Sequence, residues 1–125
     1  MVNVPTASAA QMEERGRVVH WHMPNVPLMR ATSDELEEVA VDIARKANAA
    51  TGRTKIIVPV RGFSSLSTDG QPFHDPRADA RFIDRLIRTA TVEVVVVELP
   101  INDPEFAIFA ADALHDLVHG FVSNR

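Results

Sequence analysis

Polar residues that could bind an anion follow three separate apolar stretches of this 125-residue chain. Arg30, Thr32 and Ser33 follow the first stretch and open a segment with helical spacing. A guanidinium forms paired hydrogen bonds with carboxylates and phosphates, and the free N–H groups at a helix N-terminus also favour anions. These residues therefore predict a phosphate or carboxylate site. The alternative is that Thr32 only caps the helix and Arg30 is a surface cation.

A second group of polar residues, Arg61, Gly62 and Ser64, follows the apolar run 55–60. Gly62 would let the backbone approach a ligand closely, and an ordinary turn glycine is the alternative. The chain contains neither the Gly-Lys-Ser/Thr ending of a phosphate-binding loop nor the Gly-x-Gly-x-x-Gly pattern of dinucleotide binding. The second group therefore predicts contacts with an anion but no standard nucleotide motif.

A third group, Asn102 and Asp103, follows the valine-rich run 92–97. Asp103 precedes Pro104, which is typical of a helix N-cap, whereas Asn102 lies before that cap in a loop. We expect the three groups to lie close together, because the strand-to-helix loops of an open parallel sheet gather at the edge where ligands bind. The predicted ligand-binding residues are Arg30, Thr32, Ser33, Arg61, Gly62, Ser64, Asn102 and Asp103.

Two residues, His22 and Glu98, are the candidates for a catalytic base. Glu98 ends an otherwise apolar strand, where a carboxylate either pairs with Arg30 or Arg61 or acts as a sheltered general base. Pairing is the commoner outcome. If either residue acts as a base, the chain could be part of a hydrolase or lyase that acts on a carboxylated substrate. The long loop 61–75 would then serve as a lid over the site. A third hypothesis is an assembly domain with no ligand of its own.

Metal binding and nucleophilic catalysis are both weakly indicated. His20 and His22 lie on the same face of a predicted strand, which could suit a metal ion. His74 or Asp75 could supply a third ligand, but no motif fixes either of them, so we predict no metal site. Ser64, a histidine and Asp103 could form a triad, yet the Gly-x-Ser-x-Gly pattern is absent.

Composition limits the partners of the chain. It carries 13 basic and 17 acidic residues, for a net charge of −4, and no basic run, so we expect no nucleic-acid partner. Arginines between Arg77 and Arg88 alternate with Asp79 and Asp84, which suggests a solvated helix face. The chain has no cysteine and no apolar stretch near the roughly 20 residues of a membrane helix. Residues 1–10 lack a charged region followed by a long apolar stretch, so we expect no secretory signal there. We predict a cytoplasmic protein.

The apolar spacing predicts alternating strands and helices after a short first segment. Residues 1–16 are small and polar, as in a linker or frayed terminus, with a short helix around Ala9–Arg15. Residues 17–125 then form one α/β domain. The order β-α-β-α-β-α predicts a three-layer, Rossmann- or flavodoxin-like arrangement, with helices on both faces of a short, mainly parallel sheet. The predicted strands are 17–23, 55–60 and 92–97, and the predicted helix caps are Thr32, Asp75 and Asp103.

Apolar side chains at helical spacing predict the inner faces of the last two helices. A sheet of three strands also leaves exposed edges, so we expect self-association or a partner domain. The predicted inner faces include Ala80, Ile83, Leu86 and Ile87 in one helix, and Phe109, Leu114 and Val118 in the next.

Several short motifs in order give a resemblance to a known family, from about His20 to the end of the chain. The motifs are His22-Met23-Pro24; Leu28-Met29-Arg30-Ala31-Thr32 with Glu35; Pro59-Val60-Arg61-Gly62-Phe63-Ser64; Gly70-Gln71-Pro72-Phe73-His74-Asp75-Pro76; and Ile101-Asn102-Asp103-Pro104-Glu105-Phe106-Ala107. Together they resemble the carboxy-terminal domain of the uncharacterised two-domain family that includes the tomato mosaic resistance protein. That family is often described as ATP-binding.

The resemblance implies a nucleotide, with ATP as the cofactor to consider, and a preceding α/β domain. That preceding domain would belong to a longer chain or to a separately encoded partner. Two positions depart from the family pattern: Met23 stands where the family usually has Asn, and Ala31 where it has Thr. Both lie at the corner that contains Arg30, and both remove a polar side chain.

Overall fold

Residues 1–122 form two small sheets and four helices. The structure, a computed structural model, describes residues 1–122, with side chains described for residues 1–120. One sheet has three antiparallel strands in the order β1-β3-β2, and the other has two parallel strands, β4 and β5. The predicted α/β class is confirmed. The elements are β1 (Val2–Asn3), α1 (Thr6–Glu14), β2 (Val19–Met23), β3 (Val26–Met29), α2 (Ser33–Asn48), β4 (Lys55–Pro59), α3 (Pro76–Thr89), β5 (Glu93–Val97) and α4 (Pro104–Val122).

The first predicted strand does not join the parallel pair. It becomes β2, and the turn at residues 24–25 folds it back against β3 as an antiparallel hairpin, with His20 opposite Leu28. The register shifts between Trp21 and Met23, close to Pro27, which has no N–H to donate. The expectation that all three predicted strands share one mainly parallel sheet was therefore wrong in its pairing, because a tight turn favours pairing with the next strand along the chain.

Residues 1–16 carry regular structure. β1 pairs with β3, with Val2 opposite Met29. α1 spans Thr6–Glu14, against the short helix expected around Ala9–Arg15, and its Ala9 is fully buried. The predicted domain boundary at residue 17 therefore falls between α1 and β2, two elements that both pack around β3.

Local capping residues begin the two central helices, as predicted. The Thr32 hydroxyl accepts from the Glu35 N–H, and the Glu35 carboxylate accepts from the Thr32 N–H, a complete capping box. Asp75 caps α3 by accepting from the Ala78 N–H, with Pro76 in the first turn. The two helices pack together against β4 and β5. The buried cluster between them contains Ala31, Leu36, Ala40, Ala44, Val58, Ala78, Phe82, Ile83 and Leu86.

The predicted inner faces of α3 and α4 need correction. In α3, Ala80 is exposed and Ile87 is 50% exposed, while Phe82 is buried instead. The face of α3 that packs against α2 and the sheet is therefore rotated about the helix axis relative to the predicted inner face. In α4, Ala113 is buried, but the larger residues Phe109, Leu114 and Val118 are 40%, 62% and 54% exposed. Within residues 1–122, no helix is both long and apolar enough to cross a membrane.

Candidate functional site

A cleft opens where β4 and β5 end and α3 begins. It has a volume of about 500 Å³. The ladder between the strands continues one residue beyond β4, because the Val60 N–H donates to the Val97 carbonyl at 3.0 Å, and the chain then turns into the long loop. This is the sheet edge at which the sequence predicted a site. The cleft is lined by Val60, Arg61, Ser67, Thr68, Asp69, His74, Pro76, Asp79 and Pro100.

The loop 61–75, which forms one wall of the cleft, is folded around Phe73. This ring is 2% exposed, and its backbone N–H donates to the Leu66 carbonyl at 2.8 Å. Ser67 is also buried, and its hydroxyl accepts from the Ser64 N–H at 2.9 Å and donates to the Ser64 carbonyl at 3.1 Å. The polar groups of Ser64 and Ser67 therefore hold the loop in shape.

Gly62 is required by contacts within the same loop. Its φ is +141°, and a Cβ built there would lie 2.9 Å from Cγ2 and 3.2 Å from N of Thr68. Its carbonyl accepts from the Ile101 N–H at 2.9 Å, which joins the loop to the connection between β5 and α4. The close approach at Gly62 is thus to the protein itself, which corresponds to the turn-glycine alternative.

Arg30 forms a buried ion pair with Asp79. Its Nη2 lies 2.7 Å from Oδ1 of Asp79, and the two side chains are only 10% and 7% exposed. The same nitrogen is 3.4 Å from the Asp75 carbonyl oxygen. The Nε of Arg30 is buried and has no hydrogen-bond partner among residues 1–120. Arg30 therefore neutralises a carboxylate of the cleft wall rather than lining the cleft itself.

Asp79 is the residue that sequence reasoning missed. The alternation of arginines and aspartates suggested a solvated helix face, but Asp79 is 5% exposed and lines the cleft. It precedes Phe82 by three positions and Ile83 by four, so all three lie on the same face of α3. That spacing was the available signal.

Thr32 takes the capping role that was the alternative reading of the first group. Its hydroxyl is 3.2 Å from the Glu35 N–H, and Ser33 follows as the first residue of α2. The Thr32 N–H and the Arg17 guanidinium hold the pKa of Glu35 below its ordinary value. Arg17 also donates to the Arg30 carbonyl at 3.0 Å. These hydrogen bonds fix the backbone between Arg30 and Thr32.

The two candidate bases belong to different parts of the fold, since Glu98 directly follows β5 and His22 lies on β2. Glu98 pairs with Arg61 at 2.9 Å, and the side chains are 70% and 68% exposed. The structure thus shows the pairing alternative, and Glu98 is not sheltered from water. His22 is exposed on β2, in the antiparallel sheet. Neither residue is among those that line the cleft around Ser67 and His74.

The third polar group lies beside the second. The Ile101 N–H donates a hydrogen bond to the Gly62 carbonyl, which joins the two loops. The exposed Asn102 is the next residue after this junction. Asp103 caps α4, with Oδ1 accepting from the Glu105 N–H at 2.9 Å. The second and third groups are therefore brought together, whereas the first reaches the cleft only through the partner of Arg30.

The histidines considered as metal ligands have other contacts. His20 packs edge-on against Phe73, with ring centroids 6.2 Å apart. His74 lies 3.4 Å from the Ser67 carbonyl oxygen through Nδ1, and 3.7 Å from Asp69 through Nε2. In the part of the chain whose side chains are described, no group of three or more His, Asp or Glu residues is placed to hold a metal ion.

Comparison with known proteins identifies the family. The sequence pattern of the C-terminal domain of the uncharacterised protein family UPF0261 matches residues 1–118. The chain belongs to this family. It is 34% identical to a UPF0261 protein of Rhizobium meliloti over 95% of the chain and 31% of that protein. It is 36% identical to a UPF0261 protein of Mesorhizobium japonicum over 86% of the chain and 28% of that protein.

A plant protein is also similar to this chain. The ToMV resistance protein Tm-1 of Solanum lycopersicum is 32% identical over 94% of the chain and 16% of the plant protein. The two-domain family inferred from the short motifs is thereby confirmed. The chain spans about a third of the length of the bacterial relatives that it matches.

Proposed function

We propose that this UPF0261 domain binds a small anionic molecule, bearing a carboxylate or phosphate, with Arg61 as its main cation. The observation that carries the proposal is the state of the Arg61 guanidinium, which lines the cleft and is 68% exposed. Its partner Glu98 is equally exposed, and exposed ion pairs contribute only about 0–1 kcal/mol. An anionic ligand can therefore replace Glu98 at little energetic cost.

The first turn of α3 meets the cleft beside Arg61. Thr68 and His74 line the cleft from the loop, where the Thr68 hydroxyl donates to the Ser65 carbonyl at 3.2 Å, and α3 reaches the cleft at Pro76. The positive end of a helix dipole favours an anion at that position. The Asn102 amide, next to the Gly62 junction, is a further group that could orient the ligand.

The carboxylates of the cleft do not oppose an anion strongly. Asp79 is compensated by Arg30 at 2.7 Å, so the pair carries no net charge. Asp69 is fully exposed to water, where its charge is screened by solvent and salt. In this proposal Arg30 acts through Asp79, Thr32 and Asp103 act as helix caps, and Ser33 begins α2. Gly62 and Ser64 shape the wall of the cleft.

The cleft size agrees with a small metabolite. Ligand pockets commonly have volumes of about 300–1,000 Å³, and this one is about 500 Å³. A nucleotide such as ATP is the narrower form of the proposal. It derives from the family resemblance, whereas Arg61 and its neighbours support only the anionic group.

A thermal-shift screen tests the proposal with inorganic phosphate, citrate and ATP as probes. A ligand at about 100 times its dissociation constant adds roughly 2.7 kcal/mol of stability. We expect at least one probe to raise the unfolding temperature of the wild type and to lose that effect in Arg61→Ala. Arg45→Ala is the matched control, because the Arg45 side chain is also 68% exposed but lies on α2. Equal responses in the two variants, or no response in the wild type, would overturn the proposal.

A further inference from the structure

β5 has the composition of an interior strand. It reads Glu93-Val94-Val95-Val96-Val97, with no Lys or Pro. Strands inside parallel sheets are near-continuous apolar runs, whereas edge strands usually carry Lys, Pro or a bulge that discourages further pairing. Among the described strands, β5 pairs with β4 alone. Its other edge therefore lacks the partner that its sequence is suited to.

β4, by contrast, has the features of an edge strand. Because the Val60 N–H points to the Val97 carbonyl, alternation along the strand turns the backbone nitrogen of Pro59 away from β5. Pro59 has no N–H to donate, and proline is tolerated in sheets where its nitrogen faces an unpaired edge. The parallel sheet thus ends at β4, and its open side lies beyond β5.

A groove of about 500 Å³ lies between β5 and α3, and it adjoins the cleft at Val60 and Arg61. Val96 of β5 is 39% exposed and Ile87 of α3 is 50% exposed, and both line the groove. Ala80 and Ile83 extend the same surface along α3. A strand placed beside β5 would cover these side chains, and its backbone would meet the outward N–H and C=O groups of Val94 and Val96.

We propose that the free edge of β5 accepts one more parallel strand, supplied by the part of the family polypeptide that lies outside the matched third. The bacterial relatives carry about two thirds of their length beyond the matched region, which covers 31% of one and 28% of another. Main-chain hydrogen bonds provide the affinity in such strand addition, and side-chain pockets provide the specificity. The carboxylates of Asp84 and Glu98 in the same groove are already paired with Arg88 and Arg61, both at 2.9 Å, so the incoming strand is apolar where it meets the groove.

Amide hydrogen exchange tests this proposal on two intact proteins, this chain and the full-length Rhizobium meliloti relative. In this chain, the Val95 and Val97 amides face β4 and those of Val94 and Val96 face the free edge. We therefore expect slow exchange at Val95 and Val97 and fast exchange at Val94 and Val96. In the relative, the positions aligned with Val94 and Val96 exchange about tenfold more slowly or better, because a neighbouring strand pairs with them. Fast exchange at those two aligned positions in the relative would overturn the proposal.

A lysine at the edge gives a second, independent readout. We expect Val96→Lys to lower the unfolding temperature of this chain no more than Leu114→Lys, a matched change at an exposed site on α4. At the position aligned with Val96 in the full-length relative, the same substitution should lower it clearly. Slow exchange at Val94 that appears only at high concentration of this chain, and disappears in Val96→Lys, would instead assign the edge to a second copy and refute the proposal.

Discussion

Nη2 of Arg30 lies 2.7 Å from Oδ1 of Asp79, and both side chains are almost fully removed from water. The pair joins the residue three positions before α2 to the first turn of α3, across 49 residues of sequence. It thereby fixes the helix whose N-terminus borders the cleft. A buried charge is tolerated only when it is compensated, so each partner depends on the other.

Arg30→Ala should destabilise the fold strongly. Removing one partner of a buried ion pair costs about 3–5 kcal/mol, because the other charge is left uncompensated. Urea unfolding measures this difference, and the double variant Arg30→Met/Asp79→Leu should recover most of it. Arg45→Ala, which breaks a surface pair with Asp42, is the control and should change stability by about 0.5 kcal/mol or less. A stability of Arg30→Ala equal to that of the control would show that the pair is not essential.

How far the sequence predicted the structure depended on how local each interaction is. The helix starts at Thr32 and Asp75 were predicted correctly, because a cap is formed by residues only three positions apart. The pairing of β2 was predicted wrongly, because the apolar residues of a strand do not determine which other strand it pairs with.

The candidate site was predictable to the same extent. The loops that carry Arg61, Gly62 and Asn102 meet as expected, because strand-to-helix loops collect at one edge of a sheet. The partner of Arg30 was not found, since it lies 49 residues away and an aspartate among arginines looks solvated. Only the packing of α3 against the core shows that Asp79 is buried.

Glu35 should make stability depend on pH in the acid range. Hydrogen bonds from the Thr32 N–H and from Arg17 hold its pKa below the ordinary value of 4.5. A carboxyl whose pKa is depressed in the folded state contributes stability above its unfolded pKa, and this is lost as pH falls through the folded pKa. Urea unfolding from pH 7 to pH 3 should show the wild type more stable than Glu35→Gln at neutral pH, with the gap closing on acidification. A gap of constant size across this range would contradict the prediction.

Gly62→Ala should destabilise the loop that lines the cleft. The substitution places a Cβ 2.9 Å from the Thr68 methyl group at a φ of +141°, which L residues rarely adopt. Such strained positions cost about 1–3 kcal/mol. Gly52→Ala is the control, because nothing lies within 4 Å of a Cβ there and its φ is not in the left-handed range. Thermal unfolding should separate the two variants, and similar melting temperatures would argue that the loop readily relaxes around residue 62.

Phe73→Ala should open the long loop without unfolding the rest of the chain. Phe73 is 2% exposed and anchors the loop, so its truncation costs about 3–5 kcal/mol of the loop's own packing. Leu86→Ala is the matched control, since Leu86 is 1% exposed but lies in the core between α2, α3 and the sheet. Limited proteolysis with subtilisin should cut Phe73→Ala within residues 61–75, whereas Leu86→Ala should be cut throughout the chain as the whole fold opens.

Because Arg61, Thr68 and His74 line the cleft from this loop, Phe73→Ala should also lose any thermal response to the anionic probes. The same cleavage pattern in both variants would mean that the loop and the core unfold as one unit.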